Sequence, residues 1–188
     1  PTLVSNVETF AWIPSIIYHG GVCFHDLAVL PELGGAKLIS ISGDVAKPTL
    51  AAIPMGVTLR SVLEETAGIP VDDIAACEVG GITEELTYPQ DFDQPLSRAF
   101  RAGHLNAGGS IVVFSKKNFD EKRIFRTKAK FYDIESCQLC APCREGAKVF
   151  RYGIDSIMDE NTTLSADTIE TYKVLFNSME TLSNCGHG

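Results

Sequence analysis

The chain has 188 residues, of which 45% are hydrophobic and 21% charged, and its net charge is −8 at pH 7. That length and apolar content suffice for one large domain or two small ones with real cores. No apolar run is long enough to cross a bilayer, and the first residues lack the pattern of a signal peptide. An acidic body also disfavours general nucleic-acid binding, which needs a dominant basic surface. We therefore expect a soluble cytoplasmic protein with no nucleic-acid partner and no direct membrane insertion.

The first twenty residues predict a helix. The segment "SNVETFAWIPSIIYHGG" begins with a capping residue, Ser5 or Asn6, continues with apolar residues at helical spacing and ends at Gly20. Pro14 should kink or divide this helix. Pro1 is not an initiator methionine, and the opening residues are typical of the interior of a longer protein. We therefore expect the chain to be a fragment of a longer protein.

The middle of the chain has the alternating pattern of β-strands. "AKLISISGDV" alternates from Leu38 to Val45, "AAIP" is extended, and Thr58 should cap a helix that Gly68 ends. "IAACEVGGITEELTYP" and "GSIVVFS" predict further strands, and the second is apolar enough to lie in the middle of a sheet. Residues 35–115 are therefore predicted to form a small α+β domain.

Residues 116–188 are predicted to form a helical domain. Helical spacing runs from Arg144 to Met158 and again from Ser165 to Leu182. Residues 116–151 hold ten Lys and Arg against five Asp and Glu, so the rest of the chain carries a net charge of −13. This basic stretch surrounds a group of cysteines.

Three cysteines lie at an even spacing, and a fourth lies far away. Cys137, Cys140 and Cys143 form a C-x2-C-x2-C motif, and the next cysteine is Cys185. A disulfide framework is typical of short secreted chains, and this chain has no export signal. Zinc usually draws its ligands as two separated pairs, in which a third evenly spaced cysteine has no use. The pattern favours a four-iron, four-sulfur (4Fe-4S) cluster, with zinc, a disulfide and replacement of Cys185 by His187 as alternatives.

The residues around the motif fit a negatively charged cluster. Pro142 stiffens the loop, and "REGAKVF" should begin a helix after Cys143 whose first amides point toward the cluster. Nearby basic residues would offset the charge of four thiolates. Cys23 and Cys77 lie in apolar contexts and are expected to be buried and unreactive. His104 has no visible base or nucleophile beside it and is expected to be structural or on the surface.

"ESCQLCAPCREG" resembles the E-S-C-G-x-C-x-P-C-R-E-G signature of the flavoprotein (51 kDa-type) subunit of NADH dehydrogenases. That family includes complex I and soluble NAD-linked hydrogenases and formate dehydrogenases. "PTLVSNVETFAWIP" is similar to its P-T-x-V-N-N-V-E-T segment, and "VGGITEELTYPQDFDQPLSRAFRAGHLNAGGSIVVF" is similar to the stretch that precedes the cluster. The resemblance covers nearly the whole chain and corresponds to the C-terminal part of that subunit.

The resemblance implies a three-part, α+β organisation and a ligand set. The parts are residues 1–34, the tail of a flavin-binding domain with a linker helix; residues 35–115, a ubiquitin-like β-grasp domain of the soluble-ligand-binding (SLBB) type; and residues 116–188, an all-α helical bundle. The implied ligands of one 4Fe-4S cluster in that bundle are Cys137, Cys140, Cys143 and Cys185.

The resemblance also implies a relay function. In the family an upstream domain binds FMN and NADH, and this chain has no glycine-rich phosphate loop of its own. The chain alone should therefore be inactive with NADH and pass single electrons between the flavin and downstream iron–sulfur clusters. Asn6 matches the second of two asparagines beside the flavin, whereas Ser5 replaces the first; a helix cap is the alternative role of Asn6. The implied partners are other subunits of an NAD-linked oxidoreductase, including a 24 kDa-type 2Fe-2S subunit.

The sequence around Cys185 departs from the family pattern. It is "SNCGHG", whereas complex I proteins tend to have C-A-L-G and soluble hydrogenase and formate dehydrogenase relatives tend to have C-G-L-G. This favours a soluble NAD-linked hydrogenase or formate dehydrogenase as the parent, with a respiratory complex I subunit, in a peripheral arm facing the cytoplasm or matrix, as the alternative. A non-catalytic subunit-docking module is the competing class of function.

Overall fold

The computed structural model describes residues 2–97, 103–106, 108–158 and 163–188. The chain divides into two compact units, Pro1–Phe119 and Asp120–Gly188. Within the described residues, the first unit contains a mixed β-sheet with short helices, and the second contains helices. No helix in these ranges is both long enough and apolar enough to cross a membrane.

The first unit begins with α1 (Val7–His19) and α2 (Gly21–His25). Asn6 caps α1, because its Oδ1 accepts the backbone N–H of Glu8 at 2.8 Å. The helix runs unbroken through Pro14, so the predicted division there is wrong. Proline removes one helical hydrogen bond, and α1 has no buried residue, so water can reach the carbonyl that is left unpaired.

A five-stranded sheet, in the order β2-β1-β7-β3-β4, is the centre of the first unit. The strands are β1 (Ala36–Gly43), β2 (Thr49–Pro54), β3 (Ile74–Val79), β4 (Leu86–Thr87), β5 (Leu96–Ser97), β6 (Leu105–Asn106) and β7 (Ser110–Ser115). β1 and β7 are parallel, with Ile41 opposite Ile111, and the other pairs of this sheet are antiparallel. β5 and β6 form a separate parallel pair. The predicted central position of "SIVVFS" is confirmed, because β7 lies between β1 and β3.

The apolar core joins this sheet to a short helix. Thr58 caps α3 (Leu59–Ser61) by accepting the N–H of Ser61 at 3.2 Å, and the helix continues as a π-helical turn, Val62–Thr66. Gly68 follows with a φ of 65°, which agrees with the predicted end of the helix. The buried core residues are Ile39, Ile41, Ile53, Met55, Leu59, Val62, Leu63, Ile74, Cys77, Val79, Phe92, Leu96, Ile111 and Val113.

The second unit is built from α4 (Glu121–Glu135), α5 (Ala141–Ile157) and α6 (Ala166–Leu182). The prediction of α6 and of Ser165 before it is confirmed, since the Ser165 hydroxyl accepts the N–H of Thr168 at 3.1 Å. α5 begins at Ala141 rather than at Arg144, so Cys143 lies inside its first turn. The sequence analysis placed residues 116–188 in a helical domain but gave no bounds for α4, whose fifteen residues lie in the basic stretch.

Two glycines of α5 lie where this helix comes close to α6. A Cβ atom added at Gly146 of α5 would overlap the side chain of Met179 in α6, and one at Gly153 would lie 2.6 Å from the Tyr172 hydroxyl. These two glycines therefore allow α5 and α6 to pack closely. Between α4 and α5, Arg151 donates to Asp133 at 2.8 Å.

Candidate metal centre

The three closely spaced cysteines span the junction between α4 and α5. α4 ends at Glu135, the residues that follow form the cysteine loop (residues 136–140), and Cys140 is the N-cap of α5. Cys137 is exposed, Cys140 is half-buried and Cys143, in the first turn of α5, is buried. Pro142 occupies the first turn, where a missing N–H costs no helical hydrogen bond. The loop and the helix start are thus set by residues within the motif itself.

Ser136 connects the two ends of the cysteine loop. Its side chain is buried, and its Oγ lies 3.4 Å from the Sγ of Cys143. The same oxygen accepts the backbone N–H of Gln138 at 3.3 Å. A hydroxyl can donate while it accepts, and a thiolate can only accept. Ser136 is therefore placed to donate to a Cys143 thiolate.

Gln138 adopts a left-handed backbone conformation, with a φ of 64°, and is the only non-glycine residue with positive φ in the described ranges. Arg144 supports this turn from α5, because its Nη1 donates to the Gln138 carbonyl at 3.2 Å. The Nε of Arg144 also donates to Glu145 at 2.7 Å. The turn thus holds a side chain where the family signature has glycine.

The residues after α6 return to the cysteine loop. We call residues 183–188 the C-terminal segment. Hydrogen bonds from the backbone amides of Asn184 and Cys143, with a smaller effect of the nearby Ser183 hydroxyl, lower the pKa of the Cys140 thiol. The hydroxyl oxygen of Ser183 is buried. A hydroxyl donor is therefore available beside the Cys140 sulfur.

The end of the C-terminal segment packs on Cys143 and α4. A Cβ atom added at Gly188 would lie 2.9 Å from the Cβ of Cys143. His187 Nε2 lies 3.0 Å from the carbonyl oxygen of Tyr132 in α4. Cys185, which precedes these two residues in the C-terminal segment, is exposed. The structure therefore brings Cys140 and Cys143 to the segment that carries Cys185 and leaves the thiols of Cys137 and Cys185 open to solvent.

The structure does not gather the four predicted ligands into one group. Among residues 2–97, 103–106, 108–158 and 163–188, no group of three or more His, Cys, Asp or Glu side chains is arranged to hold one metal ion. The ligand set therefore stays a prediction.

Several basic side chains of the stretch around the cysteines form ion pairs with acidic residues of the helices. Arg126 pairs with Asp155 at 3.3 Å, Arg151 with Asp133 at 2.8 Å, and Arg144 and Lys148 both approach Glu145. Such partly exposed pairs are weak and screened by salt. Hydrogen-bond donors close to the sulfurs are therefore the better-defined electrostatic feature of this site.

The remaining candidate residues lie in the first unit. Burial raises the pKa of Cys77 to about 12, which agrees with the prediction of a buried, unreactive thiol. Cys23 in α2 is exposed, so its predicted burial is wrong: α2 has no buried residue that would cover it. His104 is half-buried and its Nδ1 has no described hydrogen-bond partner. Asn6 caps α1 and lines a cavity of about 450 Å³ with Trp12, and its proximity to a flavin stays a prediction.

Sequence reasoning missed the residues that organise the sulfurs. Ser136, Ser183 and Asn184 are ordinary polar residues in the sequence, and nothing in their spacing indicates that they meet a thiol. One signal was present for Ser136, because it stands directly before the first cysteine within the recognised motif. For Asn184 only the fold supplies the contact, since α5 and α6 lie between it and Cys140.

Comparisons with known proteins agree on one family. Residues 123–188 match the family described as the NADH-ubiquinone oxidoreductase-F iron-sulfur binding region. The chain is 36% identical over 155 residues to an NADH-quinone oxidoreductase subunit of Rhizobium meliloti, a match that covers 78% of this chain and 35% of that protein. It is 33% identical over 147 residues to the alpha subunit of the NAD-reducing hydrogenase HoxS of Cupriavidus necator, covering 78% of this chain and 23% of that protein.

The fold agrees with the sequence matches. All of this chain aligns with 31% of a chain in the crystal structure of an NAD+-reducing [NiFe]-hydrogenase in the H2-reduced state, with a TM-score of 0.85 and 31% identity. Residues 123–188 thus belong to the NADH-ubiquinone oxidoreductase-F iron-sulfur binding family, and the predicted resemblance of the chain to subunits of NADH dehydrogenases and NAD-linked hydrogenases is confirmed. The chain spans about a third or less of the length of these relatives.

Proposed function

We propose that this chain is the electron-relay part of an NADH:acceptor oxidoreductase subunit and binds one 4Fe-4S cluster through Cys137, Cys140, Cys143 and Cys185. The observation that carries the proposal is the return of the C-terminal segment to the motif, where Gly188 packs against Cys143 and the Asn184 amide lowers the pKa of the Cys140 thiol. The residue next to the distal cysteine is thereby held at the cysteine loop. When bound, such a cluster accepts and releases one electron at a time.

The surroundings of the sulfurs fit thiolate ligands of a cluster. The Cys140 thiol accepts hydrogen bonds from the backbone amides of Asn184 and Cys143. The Oγ of Ser136 lies 3.4 Å from the Sγ of Cys143. The buried Ser183 hydroxyl is a further donor beside Cys140. Donors of this kind stabilise metal-bound sulfur and tune its potential. Because α5 starts between two of the cysteines, its first-turn amides and helix dipole also favour negative charge here.

The cysteine spacing and the family match favour a cluster over zinc. Zinc usually draws its ligands as two separated pairs, in which a third evenly spaced cysteine has no use. The family that residues 123–188 match is described as an iron-sulfur binding region.

In the complete parent protein, we propose that FMN and NAD(H) bind upstream and that this chain converts the two-electron chemistry of the flavin into single-electron steps. Residues 1–34 would then be the tail of the flavin-binding domain with Asn6 near FMN, residues 35–115 the SLBB-type β-grasp domain and residues 116–188 the cluster domain. The neighbouring strands β1 and β7 are parallel, and each has an antiparallel strand on its other side. This arrangement supports the β-grasp assignment.

The parent is best placed among soluble cytoplasmic NAD-linked hydrogenases or formate dehydrogenases. Its other subunits, including a 24 kDa-type 2Fe-2S subunit, would be the partners. This proposal is supported by the likeness to the HoxS alpha subunit and to the NAD+-reducing hydrogenase structure. A respiratory complex I subunit is the alternative, supported by the likeness to the NADH-quinone oxidoreductase of Rhizobium meliloti.

A subunit-docking module without a cluster is a second candidate. It is favoured by apolar side chains near the N-terminus that are largely exposed, among them Val4, Val7 and Ile17. Large exposed apolar areas commonly mark protein contacts. A chain that binds the cluster could also dock other subunits. Finding the cluster would therefore exclude only a docking module that has none.

Metal analysis of anaerobically purified protein tests the proposal. We expect about four irons and four acid-labile sulfides per chain and a broad absorbance near 400 nm that bleaches on reduction. Cys140→Ser should lose the cluster. Cys23→Ser, which removes another solvent-accessible thiol, should keep it. Stoichiometric zinc without sulfide would refute the relay, and folded protein that binds neither metal would favour the docking module.

A second measurement tests the assignment of the nucleotide site. The isolated chain should neither bind FMN stoichiometrically nor reduce ferricyanide with NADH, because it lacks a glycine-rich phosphate loop. NADH-dependent turnover by the isolated chain would place the nucleotide site within these 188 residues.

A further inference from the structure

His187 makes a defined hydrogen bond close to the proposed distal ligand. Its Nε2 lies 3.0 Å from the carbonyl oxygen of Tyr132. A carbonyl oxygen can only accept, so Nε2 must carry the hydrogen. Tyr132 lies in the last turn of α4, and its carbonyl oxygen has two lone pairs with which to accept hydrogen bonds. His187 therefore reaches the end of α4 from the other end of the unit.

The imidazole ring is also held by aromatic contacts. Its centroid is 5.3 Å from that of Tyr132 and 6.2 Å from that of Phe131, with tilted planes in both cases. Together with Phe150, Phe176 and Met179, it lines a mostly apolar cavity of about 380 Å³. A polar ring in such surroundings costs free energy unless its N–H is paired. The hydrogen bond to Tyr132 therefore favours one orientation of His187.

The glycines beside His187 have no side chain that could reach α4, although the backbone of Gly188 packs close to Cys143. His187 stands between Gly186 and Gly188, and a Cβ added at Gly186 would meet no atom within 4 Å. Glycine has the greatest backbone freedom, and chain ends are ordered only where something ties them down. Of the three residues that follow Cys185, two are glycines and only His187 has a side chain that can make contacts.

We propose that His187 is a positioning residue that fixes the segment carrying Cys185 against α4, so that the fourth thiolate is presented to the cluster. This inference rests on the proposed function for its redox consequence, whereas the anchoring itself does not depend on iron. His187 acts through the backbone of the C-terminal segment, because Nε2 is committed to Tyr132.

Two substitutions at His187 separate the hydrogen bond from the packing. His187→Leu fills the apolar site without a donor, and His187→Gln keeps an N–H donor on a flexible side chain. We expect iron to be lost to a chelator about fivefold faster from the Leu variant, the size of effect expected from one net hydrogen bond. The Gln variant should lose iron within about twofold of the wild-type rate. The reduced Leu variant should also show a broadened electron paramagnetic resonance signal, since its fourth ligand is less uniformly held.

A control variant excludes general loosening of the helices. Asp133→Asn weakens the contact between α4 and α5 in the residue next to Tyr132 but leaves His187 in place. It should leave the chelator rate within about twofold of wild type and leave the resonance signal unchanged. Equal effects of Asp133→Asn and His187→Leu would overturn the proposal, as would a Leu variant that behaves like wild type.

Hydrogen exchange of the iron-free chain separates this inference from the proposed function. In the absence of iron, His187→Leu should still raise the exchange rate of the amides at 183–188, because the contact to Tyr132 needs no metal. If wild-type protein carries no cluster but this local effect is seen, the relay fails and the anchor stands. If the amides of 183–188 exchange equally in both proteins, the anchor is refuted whatever the iron content.

Discussion

The backbone amide of Asn184 donates to the sulfur of Cys140, although the whole of α5 and α6 lies between the two residues. This contact lowers the pKa of the thiol and connects the distal end of the helical unit to the motif. It is a backbone interaction, so any residue except proline could make it at position 184. The geometry of the chain, rather than the chemistry of asparagine, produces the contact.

Replacement of Asn184 by proline should remove this donor. Ser183 is already extended, with a ψ of 148°, which suits a residue that precedes proline. A donor to a metal-bound thiolate favours the reduced, more negative state. We expect the midpoint potential of the loaded protein to fall by roughly 40 mV, the one-electron equivalent of one net hydrogen bond of about 1 kcal/mol.

Redox titration of Asn184→Pro against Asn184→Ala checks this expectation. The alanine variant keeps the N–H and should lie close to wild type. A potential that shifts equally in both variants would assign the effect to the asparagine side chain instead.

Gln138 should be a site of avoidable backbone strain. Its φ of 64° suits glycine, and side chains in this region cost about 1 kcal/mol or more. Gln138→Gly relieves that cost but adds freedom to the unfolded chain, so the net gain in the free energy of unfolding should be about 0.5 kcal/mol. Chemical denaturation of the helical unit provides the measurement.

The matched control for Gln138 is its neighbour. Leu139 is 81% exposed and has no positive φ, so Leu139→Gly should be neutral or destabilising. If both glycine variants destabilise to the same extent, the strain at Gln138 is negligible.

Asp44 should make the first unit sensitive to acid. Its carboxylate accepts the N–H of Ser115 at 2.9 Å, the Ser115 hydroxyl at 2.8 Å and the Asn118 amide at 3.0 Å, and these bonds lower its pKa. A carboxyl whose pKa is lower in the folded state contributes fully above its unfolded pKa of about 3.9 and loses that contribution as the pH falls through the folded pKa. Wild type should therefore exceed Asp44→Asn in stability by about 1 kcal/mol at pH 7, a modest value because the site is exposed.

Denaturation of both proteins between pH 7 and pH 2.5 tests the sign. The difference should be constant down to about pH 4 and should shrink below it. Asn118→Ala removes one donor and should move the loss to higher pH. A difference that grows in acid would contradict the assignment.

The parts of the fold that were predicted from sequence depend on local signals. Thr58, Ser165 and Gly20 mark helix ends, and the apolar run of β7 indicated a central strand, because caps and burial patterns are properties of neighbouring residues. The bounds of α4 were missed because its many charges hide its apolar positions, although Asp120, whose side chain accepts the N–H of Arg123 at 2.9 Å, was a usable cap signal. The parallel pairing of β1 with β7 joins distant segments, and no local pattern encodes it.

The candidate ligands followed from spacing, but the way they are held did not. α5 starts earlier in the chain than predicted. Its N-cap, Cys140, makes no side-chain capping hydrogen bond, so the usual sequence signal for a helix start is missing. Sequence spacing also gave no indication that Ser136 and the C-terminal segment supply donors to two of the sulfurs. Such contacts depend on how α4, α5 and α6 pack, which is a tertiary property.

Removal of iron should affect the two units unequally. The first unit has a buried core of many apolar side chains drawn from the sheet and α3, and it needs no metal to close. In the second unit the buried hydrophobic residues among those described are few: Ala129, Cys143, Ala147 and Met179. Binding free energy at a site that the unfolded chain cannot preform is also folding free energy. Loss of the cluster should therefore loosen the second unit most.

Hydrogen exchange of the iron-free and iron-loaded protein measures this asymmetry directly. Amides from about Cys137 to Cys185 should exchange at least tenfold faster without iron, whereas those from about Leu38 to Phe114 should keep their protection, because separate cooperative units open independently. Cys140→Ser, purified in the presence of iron, should reproduce the iron-free pattern, since it removes a ligand and leaves the first unit untouched. Equal loss of protection in both units would show that they fold as one. Unchanged exchange in the second unit would mean that packing such as that of Gly146 against Met179, rather than the cluster, holds α5 and α6 together.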